Sequence, residues 1–297
     1  MSAAPLLSGI VIHWRAEQEL GELVAAWPRD PRFELIVVDN DSSPALALEA
    51  DRARLLRPGR NLGFAGGANA GAAAARAPLL LLLNPDACPL PGAIQALIEG
   101  FAAHPEAAGL APRLESAGGE SQHRWQLRPV PRPWQLLRQT LFLSGVRGPA
   151  AEPPPGAAVE QPAGAALALR REALERAGGL DERFHPAWFE DVDLARRFRS
   201  AGLELRYWPA ARFRHALGAS LPKLGYGAFL AAYYRNLARY LEIHHGRGWA
   251  RAARGLLFVG ALVRLALVPL RRPRRARSRS EAAHALLALA GGSLRGE

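Results

Sequence analysis

The chain has 297 residues, is 49% hydrophobic, and carries one cysteine and a formal charge of +11. That is enough apolar material for one large α/β domain or two modest lobes, and the single thiol, Cys88, excludes an intrachain disulfide and suits a reducing compartment. The charge is local: ten arginines fall between His244 and Ser280 with no acid among them, leaving a nearly neutral body, which argues against a nucleic-acid-binding module with its own basic face.

Met1 to Trp14 has no charged leader or cleavage site, so no signal peptide is expected. Gly9-Ile10-Val11-Ile12 reads as a first strand ending at His13-Trp14-Arg15. Leu20, Leu23, Val24 and Trp27 then recur at helical spacing. Phe33 to Val38 is a second strand closed by Asp39-Asn40-Asp41-Ser42-Ser43. Strand, helix and strand with short joints predict a right-handed parallel βαβ unit. Asp39 then sits at the carboxyl edge, where a carboxylate accepts hydrogen bonds from a base or a ribose, or simply makes a turn.

A short strand around Arg54-Leu55-Leu56 precedes Asn61-Leu62-Gly63-Phe64-Ala65-Gly66-Gly67-Ala68-Asn69-Ala70-Gly71. No Gly-x-Gly-x-x-Gly follows the first strand, so a dinucleotide site is not indicated. The glycines allow close approach of backbone to a ligand or tight helix–sheet packing. The Ala-rich run from Ala68 to Arg76 predicts a helix whose amino end can face phosphates. Five leucines, Leu79 to Leu83, predict a strand buried on both faces, and Asn84-Pro85-Asp86 places a carboxylate just beyond it.

The runs Val37-Val38-Asp39-Asn40, Asn61 to Gly71 and Leu82-Leu83-Asn84-Pro85-Asp86, in that order, resemble glycosyltransferase family 2, inverting enzymes of GT-A fold, and its bacterial rhamnosyltransferase-like branch. The resemblance implies an α/β fold with a mostly parallel central sheet flanked by helices, here with a C-terminal helical extension. It implies nucleotide-sugar binding by Asp39, Asn40, Asn61, Gly63, Phe64, Gly67, Asn69, Asn84 and Asp86. Asp39 would contact the base, and Asp86 would carry a divalent metal (Mg²⁺ or Mn²⁺) against the diphosphate. Two departures stand out: His13-Trp14-Arg15 replaces an Asn-Tyr-Asn-like triplet, and Asn84 replaces the first acid of an Asp-x-Asp motif.

Ile94, Leu97, Ile98 and Phe101 predict a helix over residues 91–104. Residues 115–162, rich in Pro and Gly, read as a long irregular loop over the site with a short helix within Trp134 to Leu143, and no role falls to Arg124 or Trp125. A strand over 164–170 and a helix over 171–177 stopped by Gly178-Gly179 follow. Next comes Gly179-Leu180-Asp181-Glu182-Arg183-Phe184, then Glu190-Asp191-Val192-Asp193-Leu194 opening a helix that stops at Gly202. Acids in a first turn are favoured by the helix dipole. At about 100° per residue Asp191 and Asp193 diverge, and Asp193 lies four before Arg197, the spacing of an exposed ion pair. This block also resembles the family, with Leu180 in place of a usual Phe. The resemblance makes Asp191 the general base, gives Glu190 a supporting role, and makes His215 a second metal ligand.

Residues 203–208 and 211–215 predict two extended pieces, and a helix spans 222–245. The apolar segment 248–270, interrupted by Arg251, Arg254 and Arg264, is too broken to span a bilayer. Followed by Arg271-Arg272-Pro273-Arg274-Arg275, it reads as an interfacial helix with a basic extension suited to an anionic leaflet, the alternatives being a packing helix with a disordered basic tail or nonspecific nucleic-acid contact. The expected organisation is a nucleotide-sugar-binding half (1–110), the loop region (111–163), an acceptor and catalytic half (164–245) and a basic amphipathic tail (246–297). The expected protein is a transferase peripheral on the cytoplasmic face of the membrane. It would move L-rhamnose from dTDP-L-rhamnose to a glycan or lipid-linked hydroxyl, without nucleic-acid partners. Another UDP- or dTDP-hexose or galactofuranose transferase, and a noncatalytic nucleotide-sugar-binding protein, are the alternatives.

Overall fold

The computed structural model describes residues 4–43, 45–49, 52–143, 145–216, 221–270, 273 and 275–295. The elements run β1 (Leu7–His13), α1 (Glu17–Ala26), β2 (Phe33–Asp39), β3 (Arg54–Leu56), α2 (Gly63–Ala74), β4 (Leu79–Leu83), β5 (Ala87–Pro89), α3 (Ala93–Ala103) and β6 (Gly109–Glu115). They continue with α4 (His123–Gln126), β7 (Leu127–Arg128), α5 (Pro133–Thr140), β8 (Ala158–Val159), β9 (Gln161–Pro162), β10 (Ala166–Arg170), α6 (Arg171–Arg176) and α7 (Glu190–Ser200). The last are β11 (Leu205–His215), α8 (Leu221–Leu224), α9 (Tyr226–His245), α10 (Arg247–Leu267) and α11 (Arg279–Arg295). The chain divides into two compact units. Unit 1 holds residues 1–130, 147–186 and 190–217; unit 2 holds 131–146, 187–189 and 218–297.

Unit 1 is the expected α/β sheet, in the order β3-β2-β1-β4-β10-β6-β11-β5, with β8 added to β11. The β3-β2-β1-β4 half is parallel, as the βαβ reading requires. β10 then enters antiparallel to both β4 and β6, while β6 and β11 pair in parallel. All five leucines of β4 are buried, consistent with a strand that has a neighbour on each side and layers on both faces. Residues 203–208 and 211–215 are one strand, β11, whose register slips between Trp208 and Arg212. Pro209 lies in that slip, where the missing N–H costs no ladder bond.

α2 begins at Gly63, five residues before the expected start. Gly63, Gly66 and Gly67 are therefore helical too, and tight packing on the sheet, one of the two uses expected of these glycines, accounts for Gly67 and Gly71. A Cβ on Gly71 would lie 2.2 Å from Ile10 Cγ2, and one on Gly67 2.9 Å from Ile12 Cγ2. Propensity disfavours glycine in a helix by only about 1 kcal/mol, and close packing overrides it.

Residues 115–162, expected as irregular, carry α4, α5, β7, β8 and β9, and bury Gln122, Gln126, Thr140 and Gln161. The expected short helix is α5. Unit 2 is helical: α9, α10 and α11 pack on one another and α5 packs on α10. On α10, Ala250, Ala253, Leu257, Gly260 and Ala261 are buried, while Val259, Leu262, Val263 and Leu267 are exposed. α11 is not among the expected elements, although Ala282, Leu286, Leu289 and Ala290, all buried, have helical spacing. Of the basic extension, Arg271, Arg272 and Arg274 lie outside the described residues, as does Gly218-Ala219-Ser220. No helix among the described residues is long and apolar enough to cross a membrane.

Candidate active site

The site follows from how three strands end. β4 stops at Leu83, and Asn84 donates its N–H to the Ala165 carbonyl at 2.9 Å. The chain then turns through Asp86 into β5, which pairs with the end of β11, so that His215 stands opposite Ala87. Two buried side chains are thereby brought together: Asp86 Oδ1 lies 3.6 Å from His215 Nε2. The two residues are 129 positions apart in the chain and meet only through strand pairing.

Burial pushes the His215 imidazole down to about 4, so the ring is neutral at neutral pH. Its Nδ1 lies 2.9 Å from Gln122 Oε1, and Trp125 stacks on it with centroids 5.2 Å apart. A neutral imidazole with one nitrogen engaged and the other beside a carboxylate is a donor set that fits a divalent cation. No cluster of three His, Cys, Asp or Glu side chains of that kind is found among the described residues. A cation held by this pair would take its remaining ligands from phosphate or water, as Mg²⁺ and Mn²⁺ do in phosphate sites.

Asp191 stands on the first turn of α7. Its Oδ2 accepts from Gly164 N at 3.1 Å and Gln161 Nε2 at 3.3 Å, and its Oδ1 accepts from Val192 N at 2.8 Å. Gly164 adjoins Ala165, the residue bonded to Asn84. Asp191 and the Asn84–Asp86 turn therefore share one end of the sheet. A carboxylate has about four lone-pair sites, and three are used, which leaves room for one more donor. Beside it Glu190 is buried, and its Oε2 has no hydrogen-bond partner. Burial first, and the adjacent Asp191 charge second, push the Glu190 carboxyl well above the usual range. The chain reaches the two acids through Trp188 and Phe189, both at positive φ, where bulky residues are rare. Asp193 departs from expectation: its pair with Arg197, at 2.8 Å, is buried on the carboxylate side rather than exposed.

The remaining predicted residues are mostly engaged with the protein itself. Asp39 is buried at the end of β2 and its Oδ1 accepts from Ser42 N at 3.0 Å, a turn interaction. Asn40 donates to the Gly63 carbonyl at 2.9 Å and accepts from Leu62 N at 3.2 Å; Asn61 Oδ1 accepts from Gly63 N at 2.8 Å. Both therefore fix the entry to α2, where Gly63 sits at φ +70° and a Cβ would lie 2.7 Å from the Pro186 carbonyl oxygen. Phe64 lies next to Gly164. Asn69 donates to Leu180 O at 2.9 Å and Glu182 Oε1 at 3.0 Å and accepts from Leu180 N at 2.9 Å, tying α2 to the Gly179-Leu180 turn. Sequence reasoning misses Gln122 and Trp125 around His215 and Gln161 and Gly164 around Asp191. All but Gly164 lie in the Pro/Gly-rich stretch, and their spacing carries no signal.

Comparison with known proteins bears on the family and the fold. A model of Glycosyl transferase family 2 matches residues 8–175. An N-acetylglucosaminyl-diphospho-decaprenol L-rhamnosyltransferase of Mycobacterium tuberculosis is 29% identical over 243 residues, 73% of this chain and 77% of that protein. A pre-mycofactocin glycosyltransferase of the same species is 32% identical over 191 residues, 62% of this chain and 37% of that one. Among solved structures, the mannosyltransferase PcManGT from Pyrobaculum calidifontis in complex with GDP-Man and Mn²⁺ superposes with a TM-score of 0.51 at 18% identity, over 99% of this chain and 88% of that one. GalNAc-T7 with UDP, GalNAc and Mn²⁺ superposes with a TM-score of 0.58 at 13% identity, over 99% and 57%. With a family model covering more than half its length and a sheet of GT-A type beneath it, the chain belongs to glycosyl transferase family 2 and is a glycosyltransferase.

Proposed function

We propose that this enzyme transfers a sugar with inversion, in one displacement, from a nucleotide-sugar to a hydroxyl of a glycan or lipid-linked acceptor. The observation that carries the reading is the placement of two acids at one end of the sheet, Asp86 against the neutral His215 and Asp191 against N–H donors. In this reading Asp86 and His215 hold Mg²⁺ or Mn²⁺. When bound, the cation neutralises charge on the departing diphosphate. Asp191 accepts the acceptor hydroxyl proton at its remaining lone pair. The oxygen then bonds to the anomeric carbon as the bond from that carbon to the diphosphate oxygen breaks, and the diphosphate leaves with the electron pair. Glu190, whose carboxyl is pushed up by burial and by the Asp191 charge, supports Asp191 as a poor second site for negative charge. Asp39 takes the nucleoside. Phe64 and Asn84 line the donor, while Asn40, Asn61, Gly63, Gly67 and Asn69 shape the backbone around it.

The donor in this reading is dTDP-L-rhamnose and the acceptor a polyprenyl-diphosphate-linked glycan, supported by the name of the rhamnosyltransferase relative. Thermal-shift measurement against UDP-, dTDP- and GDP-sugars, with and without Mn²⁺, tests the donor. The expected result is stabilisation by dTDP-L-rhamnose only when metal is present. Equal response to all donors, or none, defeats the rhamnose assignment.

The enzyme works at the cytoplasmic membrane surface in this proposal. The exposed Val259, Leu262, Val263, Leu267 and Leu270, in a region whose charges are arginines, suit an anionic leaflet. The protein is expected to sediment with vesicles containing anionic lipid and less with neutral ones, with salt releasing it. Recovery in the supernatant at low salt with anionic vesicles refutes this.

A further inference from the structure

Gln122 is nine-tenths buried and reaches His215 twice. Its amide Nε2 donates to the His215 backbone carbonyl at 2.8 Å, and its Oε1 lies 2.9 Å from His215 Nδ1. A backbone carbonyl only accepts, so the first bond fixes which end of the amide faces the ring. With an oxygen facing it, Nδ1 must carry the ring proton to make the second bond. A neutral imidazole has one N–H, so Nε2 is left with a lone pair. Nε2 is the nitrogen 3.6 Å from Asp86 Oδ1.

The segment bearing Gln122 is itself pinned. Gln122 N donates to Leu114 O at 2.8 Å, while Gln126 donates to Pro112 O at 2.7 Å and accepts from Leu114 N at 3.2 Å. β6, which carries those partners, pairs with β11, which carries His215. Trp125, on the short helix that follows Gln122, stacks on the imidazole at an interplanar angle of 28°. One short turn thus grips the histidine by its edge, its face and its main chain.

We infer that Gln122 is a positioning residue that selects the Nδ1–H tautomer of His215 and so turns the Nε2 lone pair toward Asp86, with Trp125 holding the ring plane. This rests on the reading of Asp86 and His215 as ligands of a divalent cation. The gain is preorganisation: the ring need not rotate or exchange its proton site when metal and donor arrive. A group that orients a metal-binding histidine in this way contributes about 10–100-fold in metal affinity.

The test uses the full chain with ¹⁵N-labelled histidine, metal-free, and His215→Asn to assign the ring signals. The wild-type His215 ring is expected to carry its proton on Nδ1, and Gln122→Leu to lose that preference. Gln122→Glu keeps an acceptor for Nδ1–H and is expected to keep the tautomer. Mn²⁺ titrated by calorimetry is expected to bind Gln122→Leu about 10–100-fold more weakly than wild type, with Gln122→Glu between them. A proton on Nε2 in the wild-type protein overturns the inference, and that result needs no variant to fold. Wild-type Mn²⁺ affinity in Gln122→Leu, where Asp86→Asn has lost it, also overturns it. Undiminished Mn²⁺ binding by Asp86→Asn instead removes the metal reading, and the inference with it, and is thereby told apart from failure of Gln122 alone.

Discussion

Asp86 and Asp191 stand at the same end of one sheet in unlike company. Asp86 faces a neutral imidazole nitrogen, an arrangement with electron pairs on both sides and a place for positive charge between them. Asp191 faces N–H groups from Gly164, Gln161 and Val192, which stabilise its carboxylate, and in the proposed mechanism it is the base. The acids also differ in their neighbours, a histidine that burial keeps neutral in one case and a glutamic acid whose carboxyl burial pushes up in the other. In the proposed mechanism one corner receives a cation and the other a proton, and burial shapes a neighbour in each, lowering the His215 imidazole and raising the Glu190 carboxyl.

The most severe way to break this comparison is to remove the base. Asp191→Asn retains the shape but not the charge, and is expected to lower kcat by about 10²–10⁴-fold. Donor binding in the presence of Mn²⁺ should stay near wild type. Single-turnover transfer and calorimetric donor binding, measured together, check it; equal losses in both would make Asp191 a donor ligand rather than a base.

The histidine corner has a pH signature. The folded imidazole titrates at about 4, against the 6.5 usual for a histidine in water, so between those values the unfolded chain binds more protons than the folded one. Stability from this group is full above pH 6.5 and is lost as pH falls toward 4, by about 3 kcal/mol at most. Urea unfolding of metal-free protein at about pH 7 and about pH 4.5 should show a drop that His215→Asn lacks. A parallel drop in the variant would show that other groups carry it.

The parts of this arrangement that can be read in advance are those set by short-range pattern. The leucine strand, Asn84-Pro85-Asp86 beyond it and the Glu190-Asp191 turn are local, and each lies where its sequence puts it. The start of α2 is placed five residues late from sequence because glycine's poor propensity points to the alanine-rich run, while contact of Gly67 with Ile12, far away in the chain, requires glycine in the helix. The pairing of Asp86 with His215 depends on β5 meeting β11, and the resemblance, not any periodicity, suggests it. Gln122 and Gln161 are out of reach because a buried glutamine is recognised by what it bonds, and their partners lie 93 and 30 residues away in sequence.

A gentler way to sharpen the comparison is to thin the donors around the base. Gln161 is buried and gives Asp191 its longest hydrogen bond, 3.3 Å. Gln161→Leu leaves Gly164 N and Val192 N in place, so Asp191 remains held but less firmly. A hydrogen bond to a charged group is worth about 1.5–3 kcal/mol, and one this long belongs at or below the lower end, or about tenfold in kcat. The acid-side limb of the pH–rate profile, where the base becomes protonated, should move to higher pH as the carboxylate loses a donor. A fall in kcat with no movement of that limb would mean that Gln161 acts through packing.

An effect of opposite sign concerns Glu190. Its carboxyl is raised well above 4.5 in the folded protein by burial and by Asp191. Above pH 4.5 the unfolded chain gives up this proton while the folded chain keeps it, so the group favours folding less as pH rises toward its folded value. Glu190→Gln cannot ionise and keeps nearly the same volume. The variant is therefore expected to gain stability relative to wild type as pH rises from about 4.5 through the interval below the folded value, the reverse of the histidine slope, and the difference is read from paired denaturation curves. Gln also places a donor where Glu190 Oε2 now has no partner. If the variant's advantage failed to grow across that interval, Glu190 would already be ionised at its lower end, and the two corners would no longer be opposites.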